Sequence, residues 1–169
     1  MDRKKTLILG FIIINFCIYI SFIYADITGA LKASIILKYS SIVICFIMTL
    51  FIGRDGYRDD DTRLLQLARF FTVISDYFLV IKDNFIFGVG VFCLVQLTYI
   101  FRHSKDMRVK NRVIIRIFAL YIFLLIIGNL FKPRFVNEGL LILVITYGTL
   151  LITSVSIALS TLKSKSYPK

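Results

Sequence analysis

Apolar residues run along this chain in six nearly unbroken stretches, 6–24, 33–52, 64–81, 85–101, 113–131 and 140–160, parted by short segments rich in Lys, Arg and Asp. Each stretch holds 17 to 21 residues, and at about 1.5 Å per helical residue that matches a hydrocarbon core of roughly 30 Å. A spanning backbone finds no water to bond with, so it must form a helix or a closed barrel. The runs do not alternate with polar positions, which excludes strands. Both prolines, Pro133 and Pro168, lie outside the runs. The pattern predicts an all-α fold: a polytopic integral membrane helical bundle of about six transmembrane helices, one domain over residues 1–169. The tripeptide Lys82-Asp83-Asn84 joins spans three and four into a helical hairpin. The first span is longer than a signal-peptide core, and no small-x-small cleavage site follows it, so it is expected to be retained. In the charged loop 53–61 an Asp-Asp-Asp-Thr run could suggest a cation site. A solvated loop whose Asp61 or Thr62 caps the third helix is the preferred reading.

Composition sharpens this picture. Hydrophobic residues make up 58% of the chain and mean hydropathy is +0.83, well outside the range of soluble domains. A net charge of +11 would suit nucleic acid, but the basic residues cluster between the apolar runs and no nucleic-acid-reading motif is present. They serve instead as topology signals and contacts to anionic lipid. Fifteen Lys and Arg fall on the amino-terminal side (three before the first span, three between spans two and three, six in the segment 102–116, three in the tail) against five on the other. That bias predicts a multi-pass protein of the cell membrane with both termini in the cytoplasm. Cys17, Cys45 and Cys93 all lie inside spans, without the spacing of a disulfide framework or a metal site. They are expected to be small packing residues, and no cofactor or metal is expected.

Ionisable residues at bilayer depth cost about 2.5–3.5 kcal/mol to insert and often mark a site. Span three carries two, Arg69 and Asp76. Asp76 lies five residues from the outer end of its span, and Lys38 about five residues into span two from the same side. Tyr19, Thr146, Tyr147, Gly88 and Gly90 fall at similar depth, so a polar layer is expected in the outer half of the bundle. Asp76 and Lys38 are its only opposite charges, and the glycines are expected to face Asp76. On span four, Phe85, Gly88, Phe92, Gln96, Tyr99 and His103 recur at spacings of three and four and form one helical stripe. Bland alternatives stand beside these readings. Arg69 can snorkel to the inner headgroups and Lys38 to the outer ones, leaving Asp76 protonated and hydrogen-bonded. His103, among basic residues, suits an ordinary interfacial position.

At the hairpin the sequence resembles the YhhN-like family of membrane proteins, which includes lysoplasmalogenases. The family shows a Gly-Asp pair, a turn, a Phe-x-x-Gly segment and an aromatic-x-x-x-His-x-x-Tyr stripe. The corresponding residues here are Ser75-Asp76, Phe85-x-x-Gly88 and Phe92-x-x-x-Gln96-x-x-Tyr99, while Lys38-Tyr39 looks like the family's Lys-Pro. The resemblance implies hydrolysis of the vinyl ether of a lysoplasmalogen, a lysophospholipid, to a fatty aldehyde and a glycerophospho-alcohol. It implies Asp76 as the catalytic residue and Lys38, Gln96 and Tyr99 as substrate-binding residues, to which the depth of the polar layer adds Tyr147. Three departures stand out. Ser75 replaces glycine, and Gln96 replaces a histidine. The family usually has eight spans with a second Ser-Asp pair in the seventh, whereas six are read here and the other acids, Asp26 among them, are placed in loops or at ends. A proton donor and a base with separated pKa values suit vinyl-ether hydrolysis, so a slow or inactive enzyme is expected unless a homodimer brings in a second Asp76 or the chain is part of a longer protein. The alternative is a non-catalytic lipid-binding or interaction protein on the same scaffold. A solute carrier is less favoured, because no internal repeat with broken helices is visible.

Overall fold

The computed structural model describes residues 3–52, 58–104, 111–130 and 138–162. The loop residues 53–57, most of the basic segment 102–116, the Lys132-Pro133-Arg134 break and the polar tail 163–169 fall outside the described residues or their described side chains. Among the described residues six α-helices follow one another: α1 (Arg3–Ile27), α2 (Leu31–Ile52), α3 (Asp59–Asp76), α4 (Phe85–Ser104), α5 (Asn111–Leu130) and α6 (Glu138–Leu162). A π-helical turn, Tyr77–Ile81, continues α3. This is an all-α polytopic membrane bundle. Among the described residues five helices are long and apolar enough to cross a bilayer, and the apolar part of α5 with described side chains, Ala119–Gly128, is shorter.

The helices outrun the apolar stretches, because polar residues form their end turns. The third begins five residues before its apolar run, with Asp59, Asp60 and Asp61 in its first turn, where carboxylates suit the positive end of the helix dipole. Its N-cap is Arg58, without a side-chain cap bond. This corrects the expected cap. Thr62 Oγ1 donates to the Arg58 carbonyl at 3.1 Å, and Asp61 instead accepts from Arg102 on α4, Nε to Oδ1 at 2.7 Å and Nη2 to Oδ2 at 2.8 Å. At the other end of the hairpin the turn is tight. Asp83 adopts a left-handed φ of 52°, and Asn84 Oδ1 accepts from the Phe87 N–H at 3.2 Å to cap α4.

Neighbouring helices pack in the order α1, α2, α3, α4, α6, α5, with the α3–α4 and α4–α6 contacts the most extensive. The interior is small and polar. Buried polar residues among those described include Ser34, Thr49, Ser75, Gln96, Thr149 and Ser154, while the buried apolar ones are Ala25, Ala68, Val95, Leu141 and Ile157. Large residues such as Phe16, Phe51, Phe87 and Phe101 face outward. A soluble protein would reverse that arrangement. In lipid, association depends on close packing of small residues and on interhelical hydrogen bonds, so this distribution is the expected one. Most threonines turn their hydroxyls back to their own helix, as Thr149 does to the Ile145 carbonyl at 2.9 Å and Thr153 to the Thr149 carbonyl at 2.7 Å. The methyl groups are then left for packing.

Candidate functional site

Two matching stripes hold α1 against α2. On α1, Asn15, Tyr19, Phe22 and Asp26 recur at spacings of four, three and four. On α2, Ser34, Lys38, Ser41 and Cys45 do the same. Such spacing keeps each set on one helix face, and the short turn at Gly29, whose φ is 73°, folds the faces together antiparallel. Asn15 Oδ1 accepts from Ser41 Oγ at 2.8 Å and lies 3.8 Å from Cys45 Sγ. Asp26 Oδ1 accepts from Ser34 Oγ at 3.0 Å. The Lys38 ammonium lies 3.8 Å from the same Asp26 oxygen and 4.6 Å above the Phe22 ring.

Between the two stripes and the end of α3 lies a cavity of about 310 Å³ whose polar lining comes from Tyr19, Lys38, Ser41 and Asp76, the rest being apolar side chains such as Phe22 and Val80. Its size is at the lower end of the range for small-molecule sites. Asp76 is half-buried on the wall, at the junction where the α-helix gives way to the π turn. There the Lys82 N–H reaches the Tyr77 carbonyl five residues back, at 3.1 Å. Such turns recur at functional sites. Among the described residues, the Asp76 carboxylate has no hydrogen-bond or ion-pair partner.

The structure thus brings Asp76, Lys38 and Tyr19 to one cavity, but it corrects how they are arranged. Lys38 takes its ion partner from α1. Asp26 belongs to the last turn of that helix, which extends three residues past the apolar run, and the Gly29 turn returns α2 directly over it. Nor do the glycines face Asp76. The neighbouring Ser75, fully buried, donates its hydroxyl to the Gly88 carbonyl, and Gly88 packs against Leu79 of the π turn. One residue on, at about 100° around the helix, Asp76 points away from α4 towards α2. No side chain lies near the position of a Gly90 Cβ.

The stripe on α4 lies apart from the cavity and is divided: Gly88 meets α3 and the π turn, Phe85 is exposed, and Phe92 and Gln96 meet α6. Buried Gln96 accepts through Oε1 from Ser154 Oγ at 2.7 Å, and the Phe92 ring packs on Tyr147 at 5.8 Å between centroids. Tyr99 stacks on His103 at 6.4 Å, and Thr146 bonds its own helix at the Ile142 carbonyl. Arg69 stands on an exposed face of α3. The three cysteines are free. Among the described residues no cluster of His, Cys, Asp and Glu could hold a metal ion. Asn15, Phe22, Ser34 and Asp26 enter this account from the structure, although the four-three-four spacing of both stripes was present in the sequence as a signal.

No curated protein and no solved structure matches the chain. The YhhN family model, in contrast, matches residues 33–169, which include Lys38, Ser41, Asp76 and the whole α3–α4 hairpin. Over more than half its length the sequence follows that one pattern, and the chain belongs to the YhhN family.

Proposed function

We propose that this chain takes a lysophospholipid into the cavity between α1, α2 and the end of α3 and hydrolyses its vinyl ether, as a lysoplasmalogenase of the cell membrane with both termini in the cytoplasm. The observation that carries this reading is the Asp76 carboxyl, set without a partner among the described residues on the wall of a mainly apolar cavity that also holds Lys38. Tyr19 at the rim is exposed on a helix whose outer surface would meet lipid, so an acyl-type chain can stay in the bilayer while the polar end enters.

One carboxyl can serve both halves of the reaction in turn. Protonated Asp76 donates its proton to the alkene carbon distal to the ether oxygen, leaving an oxocarbenium ion. Water adds to the carbon bearing that oxygen, and the Asp76 carboxylate accepts the proton released. The resulting hemiacetal then collapses to a fatty aldehyde and the free alcohol of the glycerophospho-moiety. Lys38 is suited to the phosphate. Among the described residues Asp76 is the one carboxyl lining the cavity, and turnover is expected to be slow.

That last point also favours a second reading, in which the cavity binds a lysolipid without turning it over. Purified protein supplied with a lysoplasmalogen, with an ester lysolipid as control, separates the two. The expected result is aldehyde release that falls by about 10²–10⁴ in Asp76→Asn, the usual contribution of an acid–base group. Release unaffected by that substitution would place the chemistry elsewhere. Saturable lysolipid binding with no aldehyde would leave the binding reading standing.

A further inference from the structure

We propose that Asp26 is a positioning residue of this cavity, holding the Lys38 ammonium at the rim where the phosphate of an incoming lysophospholipid would be received; the inference rests on the lipid reading above. Asp26 precedes the residues matched by the family pattern, which begin at 33, so the match assigns it no role. Its placement comes from the two stripes. Ser34, 2% exposed, fixes one carboxylate oxygen by donating its hydroxyl at 3.0 Å. That same oxygen lies 3.8 Å from Lys38 Nζ, close enough for an ion pair but too long for a hydrogen bond.

A lysine side chain is rotamer-rich, and one with no anchor would spread its charge over many positions. Here two contacts narrow that spread, the Asp26 carboxylate and the face of the Phe22 ring at 4.6 Å, a geometry in the cation–π range. Neither is tight. The side chains of Lys38 and Asp26 are 41% and 53% exposed, so an ion pair of this kind is weak and an entering phosphate can displace it. Asp26 would not be stranded by the exchange, because Ser34 continues to donate to it. The arrangement aims the cation without consuming it.

The test uses the full chain in lipid nanodiscs, with 1-O-hexadecyl-lysophosphocholine, which lacks the vinyl group, as the binding probe. A second readout needs no lipid: the rate at which an amine-reactive ester modifies Lys38 relative to Lys32, followed by mass spectrometry. Asp26→Asn is expected to raise the relative modification of Lys38 about two- to five-fold, the scale of a partly exposed ion pair. It is expected to weaken probe binding by a similar factor, and Asp26→Glu to restore both. In a Lys38→Met background Asp26→Asn should have no further effect on binding, because Asp26 acts through the lysine. Unchanged modification of Lys38, or a loss of binding that persists in that background, would overturn the proposal. A wild-type protein that binds no probe would sink the lipid reading, and the modification rates alone would then decide the role of Asp26.

Discussion

Gly88 and Gly90 look alike in the sequence, two residues apart in one apolar run, yet their surroundings differ sharply. A Cβ on Gly88 would overlap the Leu79 side chain and come within 3.3 Å of the Leu79 backbone nitrogen, whereas one on Gly90 would meet nothing within 4 Å. Gly88→Ala should therefore destabilise the protein by about 1–3 kcal/mol, the usual cost of overpacking a close contact. Gly90→Ala should leave the melting temperature in detergent unchanged or slightly raised, since alanine is the better helix former. Equal melting shifts for the two variants would show that Leu79 does not press on α4. The same comparison shows where sequence reasoning stops. Asp76 was legible as a candidate, because a carboxyl in an apolar run is costly wherever it ends up, and it does line a cavity. Which helix it faces was not legible, because Ser75 and Asp76 differ by only one step around α3, and nothing in the composition of Tyr77–Ile81 marks it as a π turn.

Among the elements, the hairpin of α3 and α4 is fastened at its amino-terminal-side end by the Asp61–Arg102 pair. Both hydrogen bonds run to a charged acceptor, and the side chains of Arg102 and Asp61 are only 21% and 14% exposed. Arg102→Gln is expected to cost about 1.5–3 kcal/mol, the range for hydrogen bonds to charged groups. Asp61→Asn combined with Arg102→Gln should cost less than the two single losses summed, because no charge is then left alone. Strict additivity in unfolding measurements would show that the pair does not couple the helices. Hydropathy alone made the helices themselves legible, since lipid demands unbroken apolar runs. Their ends were not, because Asp59–Asp61 and residues 25–27 are polar or short and still continue a helix. That error hid the Asp26–Lys38 contact: with span one closed at Tyr24, Asp26 fell into a loop. The α4 stripe shows the converse limit. Its spacing groups residues that the packing divides, Gly88 going to α3 and the π turn. A helix packs polar groups against a neighbour in lipid, so Gln96 meets Ser154 on α6 rather than the cavity.

For the whole molecule, orientation depends on whether α5 crosses. It has 20 residues, about 30 Å of helix, and its sequence carries a single charge beyond the first turn, Arg116. If it spans, six crossings return the carboxyl end to the side of the amino terminus, and the fifteen basic residues against five then agree with the positive-inside rule. If it does not, the basic tail and the amino terminus would lie on opposite sides. Cysteine labelling in a background with Cys17, Cys45 and Cys93 replaced decides between them. Lys82→Cys sits at an exposed position of the hairpin turn, and removing that lysine takes one basic residue from the outer side, so the probe does not itself oppose the predicted bias. The expected outcome is that an impermeant maleimide labels Lys82→Cys in intact cells and Lys165→Cys only after the membrane is opened. Labelling of both in intact cells would mean that α5 stays on one side. Labelling of Lys165→Cys alone would invert the protein, and would move the Asp76 cavity from the outer to the inner half of the bilayer.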